Sequence, residues 1–258
     1  MKFKGNENIE KKKEIVLSNN IFDIHESYKE IEDLDNEDFS NNIALTKKVA
    51  EGMIKNKIKR KRLWNMFVSI NEDVDYNSPQ DRKTQILDLG CSVCEEKEML
   101  SSFFGGEKFP YCSKNVDITG IDVDSEAIEL ANKKIPRGFE DNFKFIEGNA
   151  ADLSKHNEIP EKADVIMMRH QQMFKPNYNK NHIVEAELWD KMTQEGLKRL
   201  EKDGIFIITS YTQEEHDEYI EYLKDLNCEV VLEKENEFSE ELSGGGIDKY
   251  VIVIKNKS

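Results

Sequence analysis

Gln85-Ile86-Leu87-Asp88-Leu89 runs directly into Gly90-Cys91-Ser92-Val93-Cys94-Glu95, and the reading of this junction decides the fold. The first five residues have the composition of a buried strand. Gly90 permits a tight turn out of that strand, and Ser92 is small enough to let a ligand approach the backbone. Helical patterning follows over Glu95–Phe103, so a helix N-terminus with free N–H groups is expected above the turn. A strand that feeds a helix through a tight turn is the opening unit of an open α/β sheet.

Working outward, the same alternation recurs. Apolar runs at Val116–Ile121, Phe143–Glu147, Asp164–Met168, Gly204–Thr209, Cys228–Leu232 and Tyr250–Ile254 bring the strands to seven. Helices are expected at Ser125–Lys134, His182–Leu200 and Gln213–Leu226. Strands that alternate with helices need crossover connections, which implies a mainly parallel sheet with helices on both faces. Only a Gly-rich loop, with Gly244-Gly245-Gly246, separates the last two strands. They are therefore expected to pair as a hairpin and to supply one antiparallel edge strand. Upstream, Leu45, Val49, Met53, Ile54, Ile58, Leu63, Trp64, Phe67 and Val68 recur at roughly helical spacing. A loop around Asn77-Ser78-Pro79 then marks a boundary, so residues 1–82 read as a helical cap and 83–258 as the α/β domain.

In such sheets ligands bind beyond the carboxyl ends of the strands, beside the first one. The second strand ends Ile121-Asp122-Val123-Asp124, and an acidic side chain there can accept from both hydroxyls of a ribose. Asp122 follows Gly90 by 32 positions, against about 20 in the simple dinucleotide unit, and the Gly-x-Gly-x-x-Gly fingerprint is absent. The third strand runs into Gly148-Asn149-Ala150. These three blocks, in this order, resemble the class I S-adenosylmethionine-dependent methyltransferases over residues 84–258. The family's Asp-x-Gly-x-Gly-x-Gly becomes Asp88-x-Gly90-x-Ser92-x-Cys94, and Cys94 adds a side chain where the family has none.

The resemblance implies a Rossmann-like domain with S-adenosylmethionine as cofactor. It places the donor against Asp88, Gly90, Cys91 and Ser92, with Asp122 and Val123 at the ribose. Asn149 and Ala150 meet the adenine, where the Asn149 carboxamide oxygen would accept from the amino group. The fourth strand ends Met168-Arg169-His170, over the acceptor side. Arg169 is expected to meet a carboxylate of donor or substrate, or to pair with the acidic surface. His170 would line the pocket or act as general base. Tyr178 and Tyr211 are further candidate walls. The first 82 residues and the loop after strand four would close over the acceptor and exclude water.

Composition narrows the partners. Hydrophobic residues make up 38% of the 258 residues, enough for a sizeable core. No apolar run is long enough to span a membrane, and no apolar leader segment opens the sequence, so a cytoplasmic protein with reduced thiols is expected. Of the net charge of −15, residues 83–258 carry 22 basic and 36 acidic groups, or −14. That field repels phosphate backbones and favours a small-molecule or protein acceptor over nucleic acid. The basic run Lys55 to Arg62 reads as a solvated helix face that balances the acidic stretch Glu26–Asp38.

Other readings attach to particular residues. Cys91-x-x-Cys94 at a helix start resembles a redox pair, although no flanking Trp-Cys or Gly-Pro signature accompanies it. Zinc would need Cys112 and a histidine in addition, so no metal is expected. The Ser92 and Cys94 substitutions also fit a non-catalytic adenosyl-ligand-binding or interaction protein.

Overall fold

The structure, a computed structural model, describes residues 58–74, 76–107, 111–169, 182–242 and 245–257. The chain divides into two compact units, Met1–Asn56 and Lys57–Ser258, and all described residues belong to the second. His170, Tyr178 and the acidic stretch Glu26–Asp38 lie outside the described residues.

The expected alternation is present. Helix α1 (58–73) precedes β1 (Thr84–Leu89), α2 (Lys97–Phe104), β2 (Val116–Asp122), α3 (Ser125–Lys133) and β3 (Phe143–Glu147). After a 3-10 segment at Ala150–Lys155 come β4 (Ala163–Met168), α4 (His182–Arg199), β5 (Leu200–Ser210) and α5 (Gln213–Lys224). The chain ends with β6 (Cys228–Glu235), β7 (Glu240–Leu242), β8 (Gly245–Ile247) and β9 (Tyr250–Asn256).

Seven strands form one sheet in the order β3-β2-β1-β4-β5-β9-β6. The first five run parallel, and β1 sits at the centre between β2 and β4. The last two main strands pair antiparallel as expected, at the β6 edge of the sheet. β9 lies between β5 and β6 and runs antiparallel to both. Burial explains the placement: Val251 to Ile254 are all at most 1% exposed, whereas much of β6 faces solvent. The more apolar strand takes the interior position, where both faces are covered. The Gly-rich connection forms a small ladder of its own, β7 against β8.

Two cores flank the sheet. On one face Leu63, Met66, Phe67 and Ile70 of α1 pack with Met99, Ile118 and Val165. Their i, i+3, i+4, i+7 spacing is the core stripe of an amphipathic helix. Ile58 and Val68, which the sequence pattern assigned to that stripe, face outward instead. This stretch therefore packs into the α/β unit, which begins at Lys57, ahead of the boundary expected at residue 82. On the other face α4, α5 and the 3-10 segment cover Leu87, Ile166 and Phe206. No described helix is long and apolar enough to cross a membrane.

Two groups of ion pairs lock the frame. At the amino end of the sheet, Arg82 donates two 2.6 Å hydrogen bonds to Asp164, which also accepts from the Gln85 amide. In the basic run, Lys59 pairs with Glu95, and Arg60 lies 2.6 Å from Glu98. These two basic residues dock α1 onto α2. Such half-exposed pairs orient a helix more than they stabilise it.

Candidate active site

Parallel strands of this order leave a crevice at their carboxyl ends on either side of β1. A cavity of about 700 Å³ occupies that place. Its floor is the β1–α2 turn. The Gly90 and Cys91 amides donate to the carbonyl of Ile121, at 2.9 and 3.2 Å, which ties the turn to the end of β2. Gly90 has φ +70°, Ser92 +47° and Cys94 +43°. All three positions where the resembled motif carries glycine thus adopt the left-handed backbone that favours glycine. Ser92 and Cys94 hold this geometry despite their side chains.

Asp122 organises the second wall. Its Oδ2 accepts from the Ser92 amide at 2.8 Å and its Oδ1 from the Asp124 amide at 2.9 Å. One carboxylate therefore pins the turn after β1 and the exit from β2, while each oxygen retains a lone pair toward the cavity. Asp124 in turn caps α3 through the amides of Glu126 and Ala127. Val123 beside it is 71% exposed, an apolar surface open to a ligand.

The third wall follows β3. The Gly148 amide donates to the Asp122 carbonyl at 2.8 Å. A Cβ at Gly148 would stand 2.3 Å from His156 Cε1, so the imidazole fits only because this position is glycine. The Asn149 side-chain oxygen, expected to face adenine, accepts from the Ala151 amide at 2.9 Å and caps the 3-10 segment. Its amide nitrogen and second lone pair remain for a ligand.

Of the expected site residues, Gly90, Cys91, Ser92, Asp122 and Val123 line the cavity, as do Asn149, Ala150 and Arg169. Asp88 does not. It is 1% exposed beneath the turn and accepts from the Cys94 thiol at 3.2 Å. Cys94, expected to add a side chain near the ligand, does line the cavity, but it is fully buried and its thiol donates to Asp88. Tyr211 is not part of the wall; its amide donates to Glu215 Oε2.

Sequence reading missed several contributors, among them the ion-paired Lys59 and Glu95. Leu188, Trp189 and Met192 of α4 form an apolar wall, and Trp189 and Met192 pack on Gly90, within 4 Å of where a Cβ would stand. Their i, i+1, i+4 spacing marks one helix face, but nothing in the sequence tells a pocket wall from core. Glu96, at the N-cap position of α2, also lines the cavity, with its carboxylate turned to Arg169 rather than to the helix amides.

Electrostatics centre on Arg169. Its side chain is 9% exposed. Nη1 donates to Glu96 Oε1 at 2.9 Å, while Nε and Nη2 donate to Asp248 at 3.0 and 2.6 Å. Burial opposes the charge on this guanidinium, but Asp248 and Glu96 outweigh burial and hold it protonated. Of the alternatives expected from sequence, acidic partners within the protein hold the arginine. Burial, and then the Glu96 charge, push Asp88 well above the usual carboxylate range. Burial and Asp88 likewise push up both Cys91 and Cys94. A thiolate is the reactive form, so this environment opposes a redox role for the pair.

Donor atoms of Asp88, Cys94 and Glu96 lie within 4.8 Å of one another. Each is engaged inside the protein, Cys94 with Asp88 and Glu96 with Arg169. Cys112 is not among them.

Comparison with known proteins settles the family. A family model described as a methyltransferase domain matches residues 80–250, well over half of the chain. The chain belongs to the class I S-adenosylmethionine-dependent methyltransferases. S-Adenosylmethionine is accordingly the methyl donor of this fold. Among solved structures, this methyltransferase is similar to an S-adenosylmethionine-dependent methyltransferase from Clostridium acetobutylicum. The TM-score is 0.53 at 11% identity, over 83% of this chain and 99% of that one. It is also similar to a putative methyltransferase from Streptococcus mutans in complex with SAH, with a TM-score of 0.47 and 15% identity, over 69% and 90%. A Methanococcus jannaschii fibrillarin pre-rRNA processing protein matches at a TM-score of 0.48 and 20% identity, over 70% of each chain. At these identities the likenesses speak to the fold alone. No curated protein sequence matches.

Proposed function

We propose that the cavity binds S-adenosylmethionine across the Gly90–Ser92 turn, Asp122–Val123 and Asn149–Ala150, and delivers its methyl group to a small-molecule or protein acceptor. The observation that carries this reading is the left-handed backbone at residues 90, 92 and 94, with the Ser92 amide held by Asp122. Backbone strain of this kind clusters at ligand sites, held there by the surrounding structure. The cavity, at about 700 Å³, falls within the usual range for cofactor sites, about 300–1,000 Å³.

The donor supplies a methyl group already activated on a sulfonium, so little covalent chemistry falls to the protein. Asp122 offers the remaining lone pairs of both oxygens to the ribose diol. Val123 and Ala150 offer apolar contact to the base, and Asn149 an amide. The wall of Leu188, Trp189 and Met192 excludes water from the other side. Alignment of donor and acceptor then supplies much of the rate enhancement. The proposal keeps Arg169 as a wall of the site and His170, next in sequence, as a general base for an acceptor that must lose a proton.

The charge of −14 over residues 83–258 supports a small-molecule or protein acceptor, because such a field disfavours phosphate backbones. Four free cysteines fit a reducing, cytoplasmic setting. The test is incubation of the protein with isotopically labelled S-adenosylmethionine and fractionated cell extract, with S-adenosylhomocysteine as the readout. Turnover that follows one fraction and vanishes in Asp122→Ala supports the reading. Tight donor binding without turnover in any fraction would favour a non-catalytic binding protein instead.

A further inference from the structure

Arg169 raises a question of charge. Its guanidinium stands almost dehydrated in the wall of the cavity, and on the reading above that cavity takes a sulfonium. Like charges repel strongly where water is scarce. Two buried carboxylates meet the guanidinium. Glu96 comes from the start of α2. Asp248 comes from the turn between β8 and β9, 79 positions away in the chain.

The turn is built around this contact. Asp248 Oδ1 also accepts from Thr209 Oγ1 at 2.7 Å, and its carbonyl accepts from the Asn236 side-chain amide at 2.8 Å. Its backbone has φ +53°, a conformation that Asp and Asn tolerate better than other side chains. The carboxylate is 6% exposed, and a buried charge persists only when paired.

We propose that Asp248 is a positioning residue of the donor site: together with Glu96 it fixes and neutralises Arg169, so that the cavity accepts the positively charged donor in preference to its product, which is uncharged at sulfur. This role rests on the methyl-donor reading of the cavity. It makes the turn between β8 and β9 part of the site, because that turn carries Asp248 to the end of β4.

Asp248→Asn tests it, since asparagine preserves both the size and the left-handed turn while removing the charge. Dissociation constants for S-adenosylmethionine and S-adenosylhomocysteine would be measured by titration calorimetry on the full chain. The expected result is a rise of about fivefold or more for S-adenosylmethionine and less than about twofold for S-adenosylhomocysteine, the order set by one charge at short range. Asp248→Glu, which keeps the charge, should retain most of the preference. Asp164→Asn weakens the Arg82 pair at the far end of the sheet and should lower the melting temperature without moving the ratio. A merely structural role for Asp248 would behave in the same way. If Asp248→Asn does not fold, Glu96→Gln removes the other carboxylate from the same guanidinium and must shift the ratio in the same direction. An unchanged ratio with both ligands still bound overturns this role alone. Wild-type protein that binds neither ligand overturns the methyl-donor reading and this role with it.

Discussion

Ser92 and Cys94 share a backbone conformation but not an environment, and glycine at each position should therefore have opposite effects. Both residues have positive φ, +47° and +43°, which costs an L-residue about 1–2 kcal/mol. Glycine removes that strain but adds freedom to the unfolded chain, worth about 0.5–1 kcal/mol. Ser92 is exposed, and its one contact with Asp122 is made by the backbone amide, which glycine keeps. Ser92→Gly should therefore stabilise by about 0.5–1 kcal/mol, or about 1–4 °C in a unit of some 200 residues. Cys94 is fully buried, and its thiol donates to Asp88. Cys94→Gly gains the same relief but opens a cavity and leaves a buried carboxyl without its donor. These losses exceed the gain by about 1–2 kcal/mol. Thermal unfolding of both variants without ligand measures the difference. A Ser92→Gly protein less stable than wild type would refute the reasoning, as would a Cys94→Gly protein that gains as much.

Gly148→Ala should destabilise the protein and weaken donor binding together, because its Cβ would meet His156 at 2.3 Å. His156→Ala in the same chain should recover most of the loss, as a double-mutant cycle would reveal. Asp88 gives a pH signature. The folded state keeps its proton to higher pH than the unfolded chain does, so stability from this group is full below about pH 4 and declines as pH rises toward the raised value. Asp88→Asn should flatten that decline, and equal pH slopes for variant and wild type in denaturant titrations would contradict it. Asp164→Ala should cost about 1–3 kcal/mol, because it leaves the Gln85 amide without its acceptor, whereas the half-exposed Arg82 regains water. An unfolding midpoint within error of wild type would count against that ledger.

Much of this architecture was legible because it depends on local pattern. Phe143–Glu147 and Ser125–Lys133 were readable almost to the residue, since apolar runs and helical spacing are set by burial on the two faces of one sheet. The walls made by Gly90–Ser92, Asp122–Val123 and Asn149–Ala150 were legible for a related reason: each sits at the end of its own strand. What escaped depends on contacts distant in sequence. Asp248 meets Arg169 across 79 positions, and no spacing rule predicts that pairing. The interior place of β9 depends on its burial relative to β6. Trp189 and Met192 went unmarked because a helix face shows which residues are covered, not what covers them. Asp88 was misplaced for the opposite reason: a motif position identifies a neighbourhood, and burial decided that its side chain points under the turn. Ser92 and Cys94 looked like damage to a glycine motif, yet the backbone keeps the glycine conformation at both.

Donor binding is the central claim, and ligand-dependent thermal unfolding tests it most directly, with S-adenosylmethionine, S-adenosylhomocysteine and NAD in parallel. A native-state ligand at 100 times its dissociation constant stabilises by about 2.7 kcal/mol, or about 5–10 °C for a unit of this size. The account expects that shift with both adenosyl ligands, none with NAD, and its loss in Asp122→Ala, which frees the Ser92 turn. An unmoved melt at millimolar S-adenosylmethionine and S-adenosylhomocysteine, or an equal shift with NAD, would contradict it.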